Sequence, residues 1–177
     1  MMVIYMKITL ETARLLLRPF NIDDASQMYD GWVSDSEVTK YVTWNPHKSI
    51  DDTLELLKIW IKQYEKPERL NFAIELKETS ELIGGIDVVG YLDGIPVIGY
   101  VIARKHWNKG FATEACKALI EYLFSKGFDT IRIDAIVENI ASNKVIEKCG
   151  GKYLQTVDEY FNMKDQYVRI NQYIVKK

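Results

Sequence analysis

The sequence predicts an α/β (α+β) fold, a mixed sheet with helices packed on its faces, and three observations predict it. Amphipathic helical runs and short apolar runs alternate along the 177 residues. Residues 71–103 read as three strands in succession, the last of them apolar for most of its length and therefore central in the sheet. After two more helices with a strand between them, the tail alternates through two further strands.

Taken in order, residues 14–20 begin as an apolar run that stops at Pro19, a first strand. Asn21 can cap the next segment, with Asp23 and Asp24 in the first turn, where acids favour the helix dipole. That helix runs to about Trp32. Residues 33–48 show no period and read as a loop with a possible short helix. Ser49 caps a long helix, with Asp52 three residues on as in a capping box. Ile50, Leu54, Leu57, Ile61 and Tyr64 define its buried face, and Pro67 ends it. Strands are expected over 71–76, 82–91 and 95–103, with a turn at Leu92-Asp93-Gly94 between the last two. Residues 104–110 form a basic loop. A helix over 111–126 carries Ala112, Ala115, Leu119, Tyr122 and Leu123 at helical spacing, and Gly127 sits at its C-cap. A strand over 130–137 and a short helix over 142–148, closed by Gly150 and Gly151, come next. The tail strands cover 153–160 and 166–175, joined by a turn over 162–165.

The composition, 47% hydrophobic and 27% charged, lies near the globular average. No linker, low-complexity stretch or repeat divides the chain, so one domain over 1–177 is expected. A net charge of −2 argues against a general nucleic-acid binder. Met1 to Lys7 lacks the basic and apolar regions of a signal peptide, and no apolar run spans a membrane. The expectation is a cytoplasmic protein with neither membrane nor nucleic-acid partner. Cys116 and Cys149 make no metal-ligand spacing or disulfide framework, and His47 and His106 are isolated, so no metal site is expected.

The sharpest local feature is the run from Arg104 to Thr113, which a strand enters and a helix leaves. The first N–H groups of a helix lack internal partners, and its dipole favours anions at the same end. Gly110 lets backbone approach a ligand, Ala112 keeps the first turn small, and Arg104, Lys105 and Lys109 add positive charge. Together these predict a phosphate or pyrophosphate site. An ordinary strand-to-helix turn with solvated lysines would share each feature singly. Neither a Walker A loop nor a dinucleotide fingerprint is present.

The segments Ile98-Gly99-Tyr100-Val101-Ile102 and Trp107-Asn108-Lys109-Gly110-Phe111-Ala112-Thr113-Glu114-Ala115 resemble the acetyl-CoA loop of the GNAT superfamily, RimJ/RimL-type N-acetyltransferases in particular. Three other blocks agree: Thr12 to Pro19, Leu82 to Ile86, and Glu138 to Gly150. The resemblance implies the GNAT fold, a mixed and mostly antiparallel sheet flanked by helices. It also implies acetyl-CoA as co-substrate. By similarity, backbone groups of Val101, Ile102 and Ala103 pair with the pantetheine arm. The stretch Trp107, Asn108, Lys109, Gly110, Phe111, Ala112 and Thr113 holds the pyrophosphate. Asn139 bonds the pantetheine, and Asn143 or Ile146 lies along the same arm. Two positions depart from the pattern. Asn108 stands where Gly is frequent, and because Asn tolerates left-handed backbone the turn should be retained. Gly151 replaces an aromatic, which implies lost packing.

Acetyl transfer needs a neutral amine, a donor for the oxyanion and an exit for the thiolate. The family's helix tyrosine is replaced by Ile146, which cannot donate. Ser142 could serve as the acid, or could only cap its helix. The family's strand glutamate is missing from residues 96–98. Asp87 on the neighbouring strand is the candidate base, with Tyr100 and a water chain behind it; Asp87 could equally face solvent. A ping-pong route through Cys116 or Cys149 finds no neighbouring His. The acceptor groove, by similarity, would be lined by Trp32, Asp35, Glu37, Tyr41, Trp44, Glu159, Tyr160 and Asp165. Acids beside aromatics suit a cationic amine. The expected activity is direct acetylation of a primary amine, a protein N-terminus or similar. The alternatives are a small amine (polyamine, amino acid or aminoglycoside) and a non-catalytic acyl-CoA-binding module. A homodimer is plausible by resemblance.

Overall fold

The structure is a computed structural model that describes residues 8–66 and 69–177. The readings of Met1 to Lys7 and of Pro67 as a helix stop lie outside the described residues.

Eight strands form one sheet in the order β1-β2-β3-β4-β5-β6-β8-β7. They are β1 (Leu10–Glu11), β2 (Leu15–Arg18), β3 (Asn71–Leu76), β4 (Leu82–Leu92), β5 (Ile95–Ile102), β6 (Thr130–Ile136), β7 (Lys152–Phe161) and β8 (Gln166–Lys176). Every neighbouring pair runs antiparallel except β5 and β6. The parallel pair needs a crossover, which α4 (Phe111–Ser125) supplies. Asp93 and Gly94 both take positive φ, 51° and 79°, the two-residue turn that matches strand twist and joins β4 to β5.

Asn21 and Asp24 form a reciprocal capping box around a 3₁₀ turn that opens α1 (Ala25–Met28). The chain then widens into a π turn, Tyr29–Val33, which lets consecutive Trp32 and Val33 both face the core. Asp35 caps α2 (Ser36–Thr39), the short helix foreseen in an otherwise irregular stretch. Ser49 and Asp52 box the start of α3 (Ile50–Gln63) as expected. Leu57 on α3 is fully buried, but Ile50 is 40% exposed, because the first turn overhangs the sheet edge. The last helix, α5 (Ile140–Lys148), starts at Ile140 and not at Ser142. Asn139 is its cap, its side-chain oxygen accepting from the Ser142 N–H at 3.1 Å.

Apolar alternation loads both sheet faces. On one, Ile86, Ile98, Ile131 and Ile133 pack against Leu119 and Leu123 of α4. On the other, Phe20, Trp32, Leu57 and Ala73 close the layer of α1 and α3. No helix among the described residues is long and apolar enough to cross a membrane.

Candidate active site

Two residue pairs, Val97 with Arg132 and Ile98 with Ile133, hold β5 to β6. Beyond them the strands run on to Ile102 and Ile136 unpaired with one another, so a wedge opens in the middle of the sheet. The Ala103 N–H donates to the Ile83 carbonyl at 2.8 Å. Antiparallel alternation then turns the backbone of Val101 toward β4 and that of Tyr100 and Ile102 into the wedge. This corrects the expectation for three adjacent residues. Val101 is engaged with β4, and the Ala103 carbonyl already accepts from the His106 N–H. The Ile102 carbonyl accepts from the indole of Trp107 at 2.7 Å, which pins the next loop and leaves the Ile102 N–H facing the wedge.

That loop ends in a left-handed pair. Asn108 has φ +61°, the conformation its side chain tolerates, and Gly110 has φ +81° as the N-terminal residue before α4. No side chain caps this helix, and its first internal bond is the Glu114 N–H to the Gly110 carbonyl. The N–H groups of Phe111, Ala112 and Thr113 are therefore left for an external acceptor. Of the three cations expected here, two are neutralised: Arg104 pairs with Asp35 at 3.0 Å and Lys105 with Glu81. Lys109 is exposed and forms no ion pair among the described residues. An anion at this turn would therefore meet free backbone amides and Lys109 in place of three unpaired cations.

A clamp that sequence reasoning missed sets this turn. Glu114 accepts from the Thr12 hydroxyl at 2.6 Å, the Arg14 N–H at 2.9 Å and Arg14 Nε at 2.7 Å. The Arg14 guanidinium lies 4.4 Å over the Phe111 ring, and its Nη1 takes the Lys109 carbonyl at 3.0 Å. Holding that carbonyl away turns the following amides outward. The partners are about 100 residues apart, and only their presence in matching blocks hinted at a link. Burial pushes the Glu114 carboxyl up, but the bonds from Thr12 and Arg14 together outweigh it and hold it below the usual range. Its stabilising contribution is then present above the ordinary carboxylate range and is lost as pH falls through the folded-state value. Glu114→Gln is expected to lower stability at pH 7 by about 1–3 kcal/mol and to raise the acetyl-CoA KM about tenfold. Urea midpoints measured from pH 7 down to 3 should show the gap to wild type closing in acid.

On the α5 side of the wedge, the Tyr100 hydroxyl lies 2.7 Å from Ser142 Oγ. Burial holds the Tyr100 phenol well above its ordinary pKa, so it stays protonated at neutral pH, a neutral hydroxyl beside Ser142. Ser142 is not the cap. It stands in the first turn of α5 with its hydroxyl against that of Tyr100. The Asn139 side-chain amide nitrogen remains for a ligand while its oxygen caps the helix. Asn143 and Ile146 do not line the arm. Asn143 donates to the Ile136 and Asn139 carbonyls and accepts from Asn171 and Tyr173, which uses its polar atoms within the fold. Ile146 is fully buried. A Cβ on Gly151 would lie 2.5 Å from Ile146 Cγ2, so this glycine is close helix packing and not packing lost.

On the opposite sheet face, Asp87 stands across from Gly99, the first β5 residue past the last β5–β6 pair. Its side chain is 23% exposed, so it faces neither open solvent nor the sealed core. Burial pushes its carboxyl up to about 6, and Arg69, 3.5 Å away, pulls it only partly back.

The acceptor side differs from expectation in two places. Trp32 is core, and Asp35 is committed to α2 and Arg104. Tyr41 packs on Ile136, Phe161 and Ile170, and Trp44 lies against the α1–α3 layer. Lys164 donates to the carbonyls of Thr39 and Lys40, and Asn45 to that of Met163. These bonds tie the end of α2 and the loop after it to the β7–β8 turn. Glu37, Glu159 and Tyr160 remain exposed, and Asp165 accepts from Tyr160. Cys116 and Cys149 are both buried, and the hydrogen bond that the Cys116 thiol donates to the Cys149 sulfur, together with burial, keeps Cys116 protonated. Among the described residues no group of three His, Cys, Asp or Glu side chains could hold a metal ion.

Residues 14–152 match the sequence model of the acetyltransferase (GNAT) domain. An uncharacterized N-acetyltransferase, p20, of Bacillus licheniformis is 32% identical over 173 residues, 96% of each chain. The uncharacterized N-acetyltransferase YoaA of Bacillus subtilis is 33% identical over 145 residues, 80% of this chain and 81% of its own. Among solved structures, a GNAT-family acetyltransferase from Bacillus anthracis superposes with a TM-score of 0.83 at 25% identity, covering 96% of this chain and 98% of its own. An acetyl transferase from Salmonella typhimurium that modifies the N-terminal serine of ribosomal subunit protein L7/L12 shares the fold at TM-score 0.82 and 16% identity, covering 96% and 99%. So does the spermidine N-acetyltransferase of Vibrio cholerae, solved with CoA and spermine, at TM-score 0.77 and 21% identity, covering 93% and 96%.

Proposed function

The chain belongs to the GNAT family of acetyltransferases, and from that premise we propose that it acetylates a primary amine, a protein N-terminus or similar α-amino group, in the manner of the RimJ/RimL-type enzymes. One observation carries the reading: the parting of β5 and β6 opens between a pair of hydroxyls and a partly buried carboxylate. The wedge fits the pantetheine arm, and the outward amides of Phe111, Ala112 and Thr113 fit a pyrophosphate. Bound acetyl-CoA supplies the acyl thioester. Asp87 takes the proton from the acceptor nitrogen as the N–C bond forms. The Tyr100 and Ile102 N–H groups, which face the wedge, are placed to bond the carbonyl oxygen as charge develops on it. As the C–S bond breaks, the CoA thiol is acidic enough to leave as its thiolate, and the Ser142 and Tyr100 hydroxyls donate a hydrogen bond toward the departing sulfur.

Small-amine acetylation is the second reading, since a spermidine acetyltransferase is among the structural neighbours. A single compact domain, a cytoplasmic location and a homodimer complete the proposal. Thermal unfolding with acetyl-CoA at about 100 times its dissociation constant should add about 2.7 kcal/mol, a rise of roughly 5–10 °C. CoA release should follow on adding an amine panel. Binding without release for any amine would leave an acyl-CoA-binding module, and no shift at millimolar acetyl-CoA would remove the cofactor assignment.

A further inference from the structure

Three polar side chains stand together beneath α3, and acetyl transfer as described uses one of them. Asn71 and Asp87 are direct partners in the β3–β4 ladder and so project from the same face. Arg69, two residues before Asn71, brings Nη2 to 3.5 Å from Asp87 Oδ2 and Nη1 to 3.5 Å from the Val88 carbonyl. Asn71 is only 3% exposed, yet among the described residues its Nδ2 has no acceptor, and Arg69 Nε is buried and equally without one there. Buried donors left unpaired are rare in folded proteins. Here two flank the carboxylate assigned as the base. Gly99 keeps the floor of this corner open: a Cβ there would lie 3.5 Å from Asp87 Oδ1 and 2.7 Å from Val89 Cγ1.

We propose that Arg69 and Asn71 form a subsite for the carbonyl oxygen next to the reacting amine, so that the acceptor is an α-amino carbonyl compound. This rests on the acetyltransferase reading above. Both unpaired groups are donors, so their complement is an acceptor oxygen, either a peptide carbonyl or a free carboxylate. An α-amino carbonyl compound sets that oxygen a fixed short distance from the nitrogen that faces Asp87. A polyamine offers only donors and cations. It would leave both side chains unpaired and bring further positive charge beside a guanidinium.

The test compares kcat/KM for a serine-initiated tripeptide, free serine, butylamine and spermidine. Wild type should favour the better of the two carbonyl-bearing acceptors over butylamine and spermidine by about 100-fold or more, as a site built around hydrogen bonds rejects a substrate lacking them. The tripeptide-to-serine ratio identifies which oxygen is held. Asn71→Leu and Arg69→Gln should each shrink the tripeptide-to-butylamine ratio about tenfold, a readout that a merely structural role would not move. Folding of each variant is checked by its acetyl-CoA-induced thermal shift, and Arg69→Gln carries the test if Asn71→Leu does not fold. A wild-type preference for spermidine, or an unchanged ratio in a folded variant, overturns the subsite and leaves acetyl transfer standing. Failure of every amine to release CoA removes both.

Discussion

Asp87→Asn lowers kcat by about two to three orders of magnitude while leaving stabilisation by acetyl-CoA intact. The reason is positional and electrostatic. Asp87 lies opposite Gly99 where the wedge opens, on the face away from Ser142, so its loss removes the proton acceptor without touching the groups that hold the cofactor. Burial pushes its carboxyl up to about 6 against the pull of Arg69. A base with that value is ionised at neutral pH, yet it binds a proton more strongly than an exposed carboxylate would. Below about pH 6 the carboxyl is protonated and can take no proton, so wild-type log kcat/KM should bend there and gain a slope of one on the acid side. The asparagine variant should lack this bend. Retained turnover with the bend still present would assign the base elsewhere.

Gly110→Pro abolishes cofactor stabilisation. Gly110 sits at φ +81°, whereas proline is confined near −65°, so the turn that aims the first amides of α4 cannot form. The thermal shift of roughly 5–10 °C should fall below about 1–2 °C, with acetyl-CoA KM rising at least 100-fold. Gly110→Ala provides the graded control. A left-handed alanine costs about 1–2 kcal/mol but can be adopted, and the added Cβ would sit 3.5 Å from Arg14 Nη2, an ordinary contact. Its shift should lie between the two. Equal shifts in all three proteins would show that the turn does not hold the pyrophosphate.

What could be read from the sequence were features whose cause is local. A glycine before a helix, an asparagine able to turn left-handed and the Ser49–Asp52 box each act within a few residues, and each stands where expected. The mixed, mostly antiparallel character of the sheet was legible through the family blocks. Asn143 and Ile146 were assigned through the family blocks, and the structure turns both into the fold, Asn143 by its bonds with Asn171 and Tyr173 and Ile146 by burial in the core. The ladder phase decided Val101, Ile102 and Ala103, since neighbours in a strand turn their backbones to opposite sides. The Glu114–Arg14 clamp and the Arg69–Asn71–Asp87 cluster join distant segments, and no local pattern announces them.

The brevity of the β5–β6 pairing has a consequence for how the molecule assembles. β1 to β5 lie side by side in chain order, β6, β8 and β7 form a second antiparallel group, and two residue pairs make the ladder between the two groups. Most of the sheet can therefore form within each group, while the seam needs the α4 crossover to bring the two together. Docking, not strand formation, then carries the long loop-closure cost of folding. Substitutions along the seam should change the folding rate differently from substitutions inside either group, and on this reading the wedge proposed to receive acetyl-CoA is also the last join to form.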